Sequence, residues 1–198
     1  MAPAARHGKH AVAGCWDSVA KGLGWGTMSG ATFGYLKALV VEDNVHMRTL
    51  LRSLLTALGM KHVYEAANGT DAFELLREKR PDLVLSDLTM KPMDGIAFTR
   101  QVRLSENSPN PYVPIIMITG HTERHKVEAA RDAGVTEFLA KPITAQNLFL
   151  RIAEVVERPR PYVRCAEYFG PDRRRRTEED YGGPRRRHDD FGNDMETK

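Results

Sequence analysis

The sequence DLVLSDLTMKPMDG (residues 82–95) opens as a buried β-strand and closes that strand with a carboxylate. Leu83, Val84 and Leu85 form an unbroken apolar run, which is typical of a strand covered on both faces. Asp87 follows, at the end of the strand where parallel sheets bind their ligands. Because a charge at such a position is costly without a partner, the stretch predicts a buried parallel strand and a functional carboxylate.

Strand and helix patterns alternate on both sides of this stretch. Asn44 is a suitable N-cap for the first helix, and Gly59 is a suitable stop. Apolar strands that alternate with helices run parallel and are covered on both faces, so the pattern predicts a doubly wound α/β domain. Besides 82–87, the predicted strands are 36–43, 61–66, 113–119 and 136–140, and the predicted helices are 45–58, 70–79, 95–104, 123–133 and 144–157.

Composition and charge narrow the class of protein. The chain has 198 residues, of which 41% are hydrophobic and 28% are charged, an ordinary balance for a globular protein. No apolar run approaches the roughly 20 residues that a membrane helix needs. Cys15 and Cys165 are far apart in the sequence, which gives neither a disulfide framework nor metal-ligand spacing. These features predict a protein of the reducing cytoplasm with no membrane partner.

The composition and periodicity of the sequence divide the chain into three parts. Residues 1–34 mix Ala, Gly and Ser with isolated basic residues, so we predict a disordered leader, with a native start at Met28 as an alternative. Residues 35–157 carry all five strand and helix pairs. Residues 158–198 are rich in Arg, Pro, Gly and acidic residues without a regular period, which predicts a disordered Arg-rich tail.

Polar side chains follow four of the predicted strands. They are Glu42 and Asp43 after the first, Asp87 after the third, Thr119 after the fourth and Lys141 after the fifth. In a doubly wound fold these strand ends converge on one crevice. Three crowded carboxylates repel one another unless a cation neutralises them, and oxygen ligands beside phosphate favour Mg²⁺. The set therefore indicates phosphoryl transfer to Asp87, with Mg²⁺ and Lys141 offsetting the charge of the transferring group.

Residues 35–157 resemble the CheY-like receiver domain of two-component response regulators. The resemblance is carried, in order, by VVEDN, LVLSDLTMKPMDG, PIIMITG and AGVTEFLAKPI. It implies a flavodoxin-like fold: a five-stranded parallel sheet of order 2-1-3-4-5 with helices on both faces. Lys91 departs from the family pattern, which often has proline there, but no reactive group is lost.

The resemblance also implies roles for the residues around the phosphoacceptor. Asp87 takes a phosphoryl group from a histidine kinase or a phosphotransfer protein. Asp43, Asp87 and the backbone carbonyl of Thr89 bind Mg²⁺, and Glu42 holds the metal through water. Thr89 and His121 lie where receivers tune self-dephosphorylation.

A second group of implied roles concerns the switch. Lys141 and Thr119 contact the phosphoryl oxygens, and Phe138 is the aromatic residue that turns inward when Thr119 moves. A cis peptide is implied between Lys141 and Pro142, which is reasonable because only bonds to proline adopt cis at low cost. The surface of the fourth helix, fifth strand and fifth helix is expected to respond.

Besides a solvated, disordered tail without a binding role, the sequence leaves two functions open for this segment. One is a docking segment for a protein partner, with Tyr168-Phe169-Gly170-Pro171 as its apolar anchor. The other is an anion site that binds a cyclic dinucleotide, cyclic di-GMP, or RNA; its candidate residues are Arg173, Arg174, Arg175 and Arg176.

The resulting prediction is a single-domain response regulator, a cytoplasmic phosphoprotein that switches a protein-interaction surface. It is a signalling phosphoacceptor rather than an enzyme, and it catalyses only its own phosphorylation and dephosphorylation. Its expected partners are a kinase or phosphotransfer protein and a downstream protein target, without a DNA-binding domain. Two rivals stay open: a pseudo-receiver that never carries phosphate, and a receiver platform whose arginine tail binds a cyclic dinucleotide or another anion.

Overall fold

The computed structural model describes residues 33–120, 124–165 and 168–173, and its central feature is a five-stranded parallel sheet. The order is β2-β1-β3-β4-β5, as the resemblance implies, so the predicted fold is confirmed. The strands are β1 (Lys37–Val41), β2 (His62–Ala66), β3 (Leu83–Asp87), β4 (Ile115–Thr119) and β5 (Glu137–Ala140).

Five helices cover the two faces of the sheet. Asn44 caps the first of them by accepting hydrogen bonds from the backbone N–H groups of His46 and Met47. Gly59 follows that helix with φ 93°, a left-handed conformation that glycine adopts without strain. No helix within the described residues is long and apolar enough to cross a membrane. The helices are α1 (Val45–Ala57), α2 (Gly69–Lys79), α3 (Gly95–Leu104), α4 (Arg124–Asp132) and α5 (Ala145–Glu157).

The core lies on both sides of the sheet. One apolar cluster joins alternate residues of the strands, such as Val40 and Leu85, to α1 and α5. The other joins the opposite alternation, such as Leu39 and Val84, to α2 and α3. Every residue of β3 and β4 is buried, which explains why these strands are apolar without alternation.

The predicted leader needs a correction at its last residues. Phe33–Tyr35 form a 3-10 turn, and Phe33 is buried. The centroid of its ring lies 5.5 Å from the ring centroid of Phe149 on α5. This aromatic contact fixes the position at which the chain enters the α/β domain. Residues 1–32, and with them Met28 and Cys15, lie outside the described residues.

The prediction of a disordered tail from residue 158 is wrong for its first part. Strands β6 (Tyr162–Cys165) and β7 (Tyr168–Pro171) pair antiparallel, and we call these two strands the C-terminal hairpin. Phe169 is buried and packs edge-on against Tyr112, with 5.0 Å between the ring centroids. The hairpin sequence is too short to form a core of its own, so the apolar surface that orders it belongs to the α/β domain. Residues 174–198 lie outside the described residues.

Arg103 at the end of α3 ties the hairpin to the domain. Its side chain is buried, and it donates hydrogen bonds to the carbonyl oxygens of Gly134 (3.0 Å) and Pro111 (2.8 Å). The guanidinium also lies 5.3 Å from the ring centroid of Tyr162. Burial lowers the pKa of Arg103 from its ordinary value. The lower pKa reflects the electrostatic cost of holding this cation under the hairpin.

Candidate functional site

The predicted polar residues meet at the carboxyl edge of the sheet. Asp87 is the last residue of β3, in register with Ile118, and Thr119 is the last residue of β4, in register with Ala140. Lys141 follows β5 directly, and its backbone N–H donates to the carbonyl of Thr119. Neighbouring parallel strands therefore bring together residues that are far apart in the sequence.

Lys141 joins two of the carboxylates. Its ammonium group lies 2.7 Å from Oδ1 of Asp87 and 3.3 Å from Oε2 of Glu42. The peptide bond between Lys141 and Pro142 is cis, as predicted, and so is the bond between Lys91 and Pro92. Glu42 is thus a direct partner of the lysine, a contact that the sequence did not reveal.

The loop after β3 fixes the second oxygen of Asp87. The backbone N–H of Thr89 donates to Oδ2 at 3.0 Å. Gly95 begins α3 right beside this loop: a Cβ atom there would clash with the backbone carbonyl oxygen of Asp87 and lie 2.9 Å from Sδ of Met117. The glycine of the MDG motif therefore lets α3 approach the phosphoacceptor strand, a role that the sequence analysis did not assign.

The crowded charges shift two pKa values. Burial, and then the charge of Asp87, raise the pKa of Glu42 above its usual value of 4.5, although Lys141 opposes them. For Lys141, burial by itself lowers the pKa, but the hydrogen bond and charge of Asp87, assisted by Glu42, raise it overall. The lysine stays cationic, while the carboxylates hold more negative charge than it neutralises.

Glu42→Gln is expected to stabilise the fold at neutral pH. Because the pKa of Glu42 is higher in the folded state than in the unfolded state, its ionisation lowers the free energy of unfolding as pH rises above about 4.5. Glutamine keeps the acceptor for the N–H of Asn44, 3.3 Å away, without the charge. Thermal midpoints should therefore be higher for the variant at pH 7 and should converge with those of the wild type well below pH 4.5.

Glu74→Gln removes an exposed carboxylate elsewhere and provides the control. It is expected to leave the pH profile unchanged. A lower midpoint for Glu42→Gln at pH 7 would show instead that the contact with Lys141 outweighs the burial of the charge.

The donor set fits Mg²⁺. The structure gives no group of three His, Cys, Asp or Glu side chains within its described ranges that would hold a metal without other ligands. Mg²⁺ does not need one, because it keeps several waters and takes one or two carboxylates together with phosphate oxygens. Glu42 and Asp87 repel each other and share a single lysine, so a divalent cation would relieve their repulsion. Asp43 follows β1 and is exposed.

The other predicted residues fall into two groups. Thr119 is buried, Thr89 is exposed, and Phe138 is half-buried against a small apolar cluster that includes Met117 and Ala130. His121, Arg174, Arg175 and Arg176 lie outside the described residues, so the tuning role of His121 and the cyclic dinucleotide site stay predictions.

Arg173 is the described member of the predicted anion site. Its guanidinium lies 2.8 Å from Oδ1 of Asp132 and 4.4 Å from the ring centroid of Tyr168. The residue is therefore part of the contact between the hairpin and α4, a position that the sequence did not indicate.

Comparison with known proteins gives concordant matches. The family model for the response regulator receiver domain matches residues 38–153. The chemotaxis protein CheY of Pseudomonas aeruginosa is 35% identical over 123 residues, which are 62% of this chain and 98% of the relative. The chemotaxis protein CheY-3 of Vibrio cholerae is 32% identical over 123 residues, 62% of this chain and 93% of the relative.

Two solved structures share the fold. The chemotaxis protein CheY4 of Vibrio cholerae superposes with a TM-score of 0.57 at 30% identity, covering 61% of this chain and 98% of that one. The receiver domain of a sensor histidine kinase from Pseudomonas aeruginosa has a TM-score of 0.53 at 33% identity, covering 60% of this chain and 94% of that one. The latter structure holds a magnesium ion in its active-site cleft. The range matched by the family model ends at residue 153, before the C-terminal hairpin.

Proposed function

Since the chain belongs to the response regulator receiver domain family, we propose that it is a single-domain response regulator whose Asp87 accepts a phosphoryl group. The donor is a histidine kinase or a histidine phosphotransfer protein. The observation that carries this proposal is the placement of Asp87 at the carboxyl end of β3, with the ammonium of Lys141 2.7 Å from Oδ1. The family is one of signalling phosphoacceptors, so the protein acts as a switch rather than as an enzyme on a separate substrate.

The reaction is a transfer between two side chains. A carboxylate oxygen of Asp87 attacks the phosphorus of a phosphohistidine, the P–N bond breaks, and the imidazole leaves with the bonding electron pair. Lys141 and the hydroxyl of Thr119 receive the oxygens of the transferred group, whose negative charge the lysine offsets. Attack of water on the acyl phosphate later returns the free carboxylate and inorganic phosphate.

Magnesium belongs to the same proposal. Asp43, Asp87 and the backbone carbonyl of Thr89 would hold it, and Glu42 would do so through water. When bound, the ion supplies positive charge beside the phosphoryl oxygens. This assignment is supported by the excess negative charge around Glu42 and by the magnesium in the cleft of the related receiver domain.

Phosphorylation of Asp87 changes the protein-interaction surface formed by α4, β5 and α5. A phosphoryl group adds roughly two negative charges at one strand end. Thr119 moves toward it, and Phe138 turns inward on the neighbouring strand, where it packs against the cluster that includes Met117. A downstream protein that contacts α4, β5 and α5 would detect this change in the cytoplasm.

Phosphorylation by acetyl phosphate tests the proposal without a partner kinase. The purified protein is expected to gain the mass of one phosphoryl group in the presence of MgCl₂, when samples are quenched in acid and read by intact mass. Chelation of the metal with EDTA should abolish the gain, and added MgCl₂ should restore it. A gain that is the same with and without EDTA would contradict the magnesium assignment, and no gain in any condition would favour the pseudo-receiver.

A further inference from the structure

Arg48 is the fourth residue of α1, and its side chain reaches back to the turn that follows β1. We call residues 42–44 the acidic turn. The guanidinium donates a hydrogen bond through Nη1 to the backbone carbonyl oxygen of Glu42, at 2.5 Å. The side chain of Arg48 is only 18% exposed, so water competes little for this contact. The proposed function gives Arg48 no role, although it touches the turn that carries Glu42 and Asp43.

The contact supplies a hydrogen-bond donor at the end of a strand ladder. The N–H of Glu42 donates to the carbonyl oxygen of Ala66 at 3.1 Å, and Ala66 is the last residue of β2. The carbonyl of Glu42 therefore lies where the pairing between β1 and β2 stops. Glu42 is buried, and a buried carbonyl without a donor is costly. Arg48 provides that donor from α1, in place of a strand N–H.

The same hydrogen bond restrains the peptide that joins the two acidic residues of the turn. The carbonyl group of Glu42, the N–H of Asp43 and the Cα atoms of both residues lie in one plane. A donor that holds the carbonyl oxygen therefore also sets the direction in which Asp43 leaves the strand. Asp43 is exposed, so packing gives its side chain little restraint. The backbone of the acidic turn is thus the main means of orienting this carboxylate.

Glu65 of β2 fixes the guanidinium and offsets its charge. Nε of Arg48 lies 3.4 Å from Oε2 of Glu65, and Nη1 of Arg52, one turn later on α1, lies 2.7 Å from Oε1. The rigid fork of an arginine can bind a carbonyl and a carboxylate at the same time, which a lysine does less well. Because Glu65 neutralises Arg48, the arginine can hold the acidic turn without adding an uncompensated positive charge beside a cation site.

A magnesium site depends strongly on such support. Mg²⁺ requires nearly ideal octahedral geometry, so its affinity falls when a ligand is free to change direction. Residues that hold a metal ligand from behind typically account for about 10–100-fold in metal affinity. Asp43, which the proposed function assigns to Mg²⁺, shares its N-terminal peptide bond with the carbonyl that Arg48 binds.

We propose that Arg48 is a positioning residue for the magnesium site, where it orients Asp43 through the carbonyl of Glu42 while Glu65 offsets its charge. Arg48 itself contacts neither the ion nor the phosphoryl group. The inference deepens the proposed function and rests on it for the identity of the ion.

The magnesium affinity of Arg48→Met tests this role without phosphoryl transfer. Thermal midpoints of the full-length protein are recorded over a series of MgCl₂ concentrations, and each protein is compared with its own midpoint in EDTA. An ion that binds only the folded state raises the midpoint once its concentration exceeds the dissociation constant. Arg48→Met is expected to need about tenfold more MgCl₂ than the wild type for the same rise. A loss of stability alone would lower the midpoint in EDTA and leave this ratio unchanged.

Arg52→Met is the matched control. Arg52 binds the same carboxylate of Glu65, but its side chain is 61% exposed, and its hydrogen bond goes to Glu65 rather than to the acidic turn. Its response to MgCl₂ should equal that of the wild type. Equal weakening in the two variants, unchanged affinity in Arg48→Met, or tighter binding by Arg48→Met would each overturn the positioning role. Arg48→Gln, with Arg52→Gln as its control, replaces the pair if Arg48→Met gives no cooperative transition.

The rate of phosphorylation by acetyl phosphate separates positioning from damage to the reaction. Arg48→Met is expected to approach the wild-type rate at saturating MgCl₂, with a half-saturating concentration about tenfold higher. A lower plateau with an unchanged half-saturating concentration would overturn the positioning role.

Failure of this inference and failure of the proposed function give different results. If MgCl₂ raises the midpoint of the wild type and Arg48→Met weakens that response, but no protein gains a phosphoryl group, the positioning role stands and the phosphoacceptor is overturned. If the wild type gains a phosphoryl group and Arg48→Met responds to MgCl₂ as the wild type does, the phosphoacceptor stands and the role of Arg48 is overturned.

Discussion

Asp87→Asn is expected to gain no phosphoryl group from acetyl phosphate under conditions that phosphorylate the wild type. An amide lacks the anionic oxygen that attacks phosphorus, yet asparagine keeps the shape of the side chain and an acceptor for the N–H of Thr89.

Intact mass of acid-quenched samples measures this result, and Asp71→Asn is the matched control. Asp71 is an exposed aspartate in the first turn of α2, where its side chain accepts a hydrogen bond from the amide of Asn68 rather than from Lys141. The control should reach the same extent of phosphorylation as the wild type. A phosphoryl group on Asp87→Asn would move the acceptor to another residue, which peptide mapping after borohydride reduction of the acyl phosphate would identify.

Phe169→Ala is expected to lower the free energy of unfolding by about 3 kcal/mol, the low end for truncation of a buried phenylalanine. Phe169 is 5% exposed, although it lies in a segment of polar composition. Its ring contacts those of Tyr112 and Tyr162, and the guanidinium of Arg164 lies 4.6 Å from its centroid. Truncation removes these ring contacts and leaves a cavity between the hairpin and the domain.

Urea unfolding followed by circular dichroism measures the change, and a loss of this size corresponds to a thermal midpoint lower by roughly 6–12 °C. Cys165→Ala, at an exposed position of the same hairpin, is the control and should stay within about 0.5 kcal/mol of the wild type. If Phe169→Ala also changed the free energy of unfolding by less than about 0.5 kcal/mol, the hairpin would not pack on the domain in solution.

The hairpin shows where prediction from the sequence stopped. In residues 158–173 the apolar residues are interrupted by Pro, Gly and Arg and follow no helical or strand period, so the local pattern indicates disorder. Their order depends on Tyr112, Arg103 and Gly134, which belong to other elements. A Cβ on Gly170 would lie 2.8 Å from Cα of Gly134, so even the glycines of the two segments are matched in space. Pairing of this kind has no local signal in a single sequence.

The contact between Lys141 and Glu42 is a similar case. The spacing of the motifs predicted that both residues lie at the strand ends, because parallel strands present their carboxyl ends on one edge. The direct ion pair depends on side-chain conformations and on the burial that raises the pKa of Glu42, neither of which the sequence states.

The sequence alone determined the parallel sheet and the position of Asp87 at a strand end, because apolar periodicity and helix caps are local properties of the chain. The order of the strands was implied by the resemblance of the motifs to those of the receiver family. Tertiary structure alone decided that Arg103 is buried, that the hairpin is ordered, and that Arg48 joins the carbonyl of Glu42 to Glu65. The physical reason is that burial and charge pairing are properties of neighbours in space, and these neighbours come from segments that are far apart along the chain.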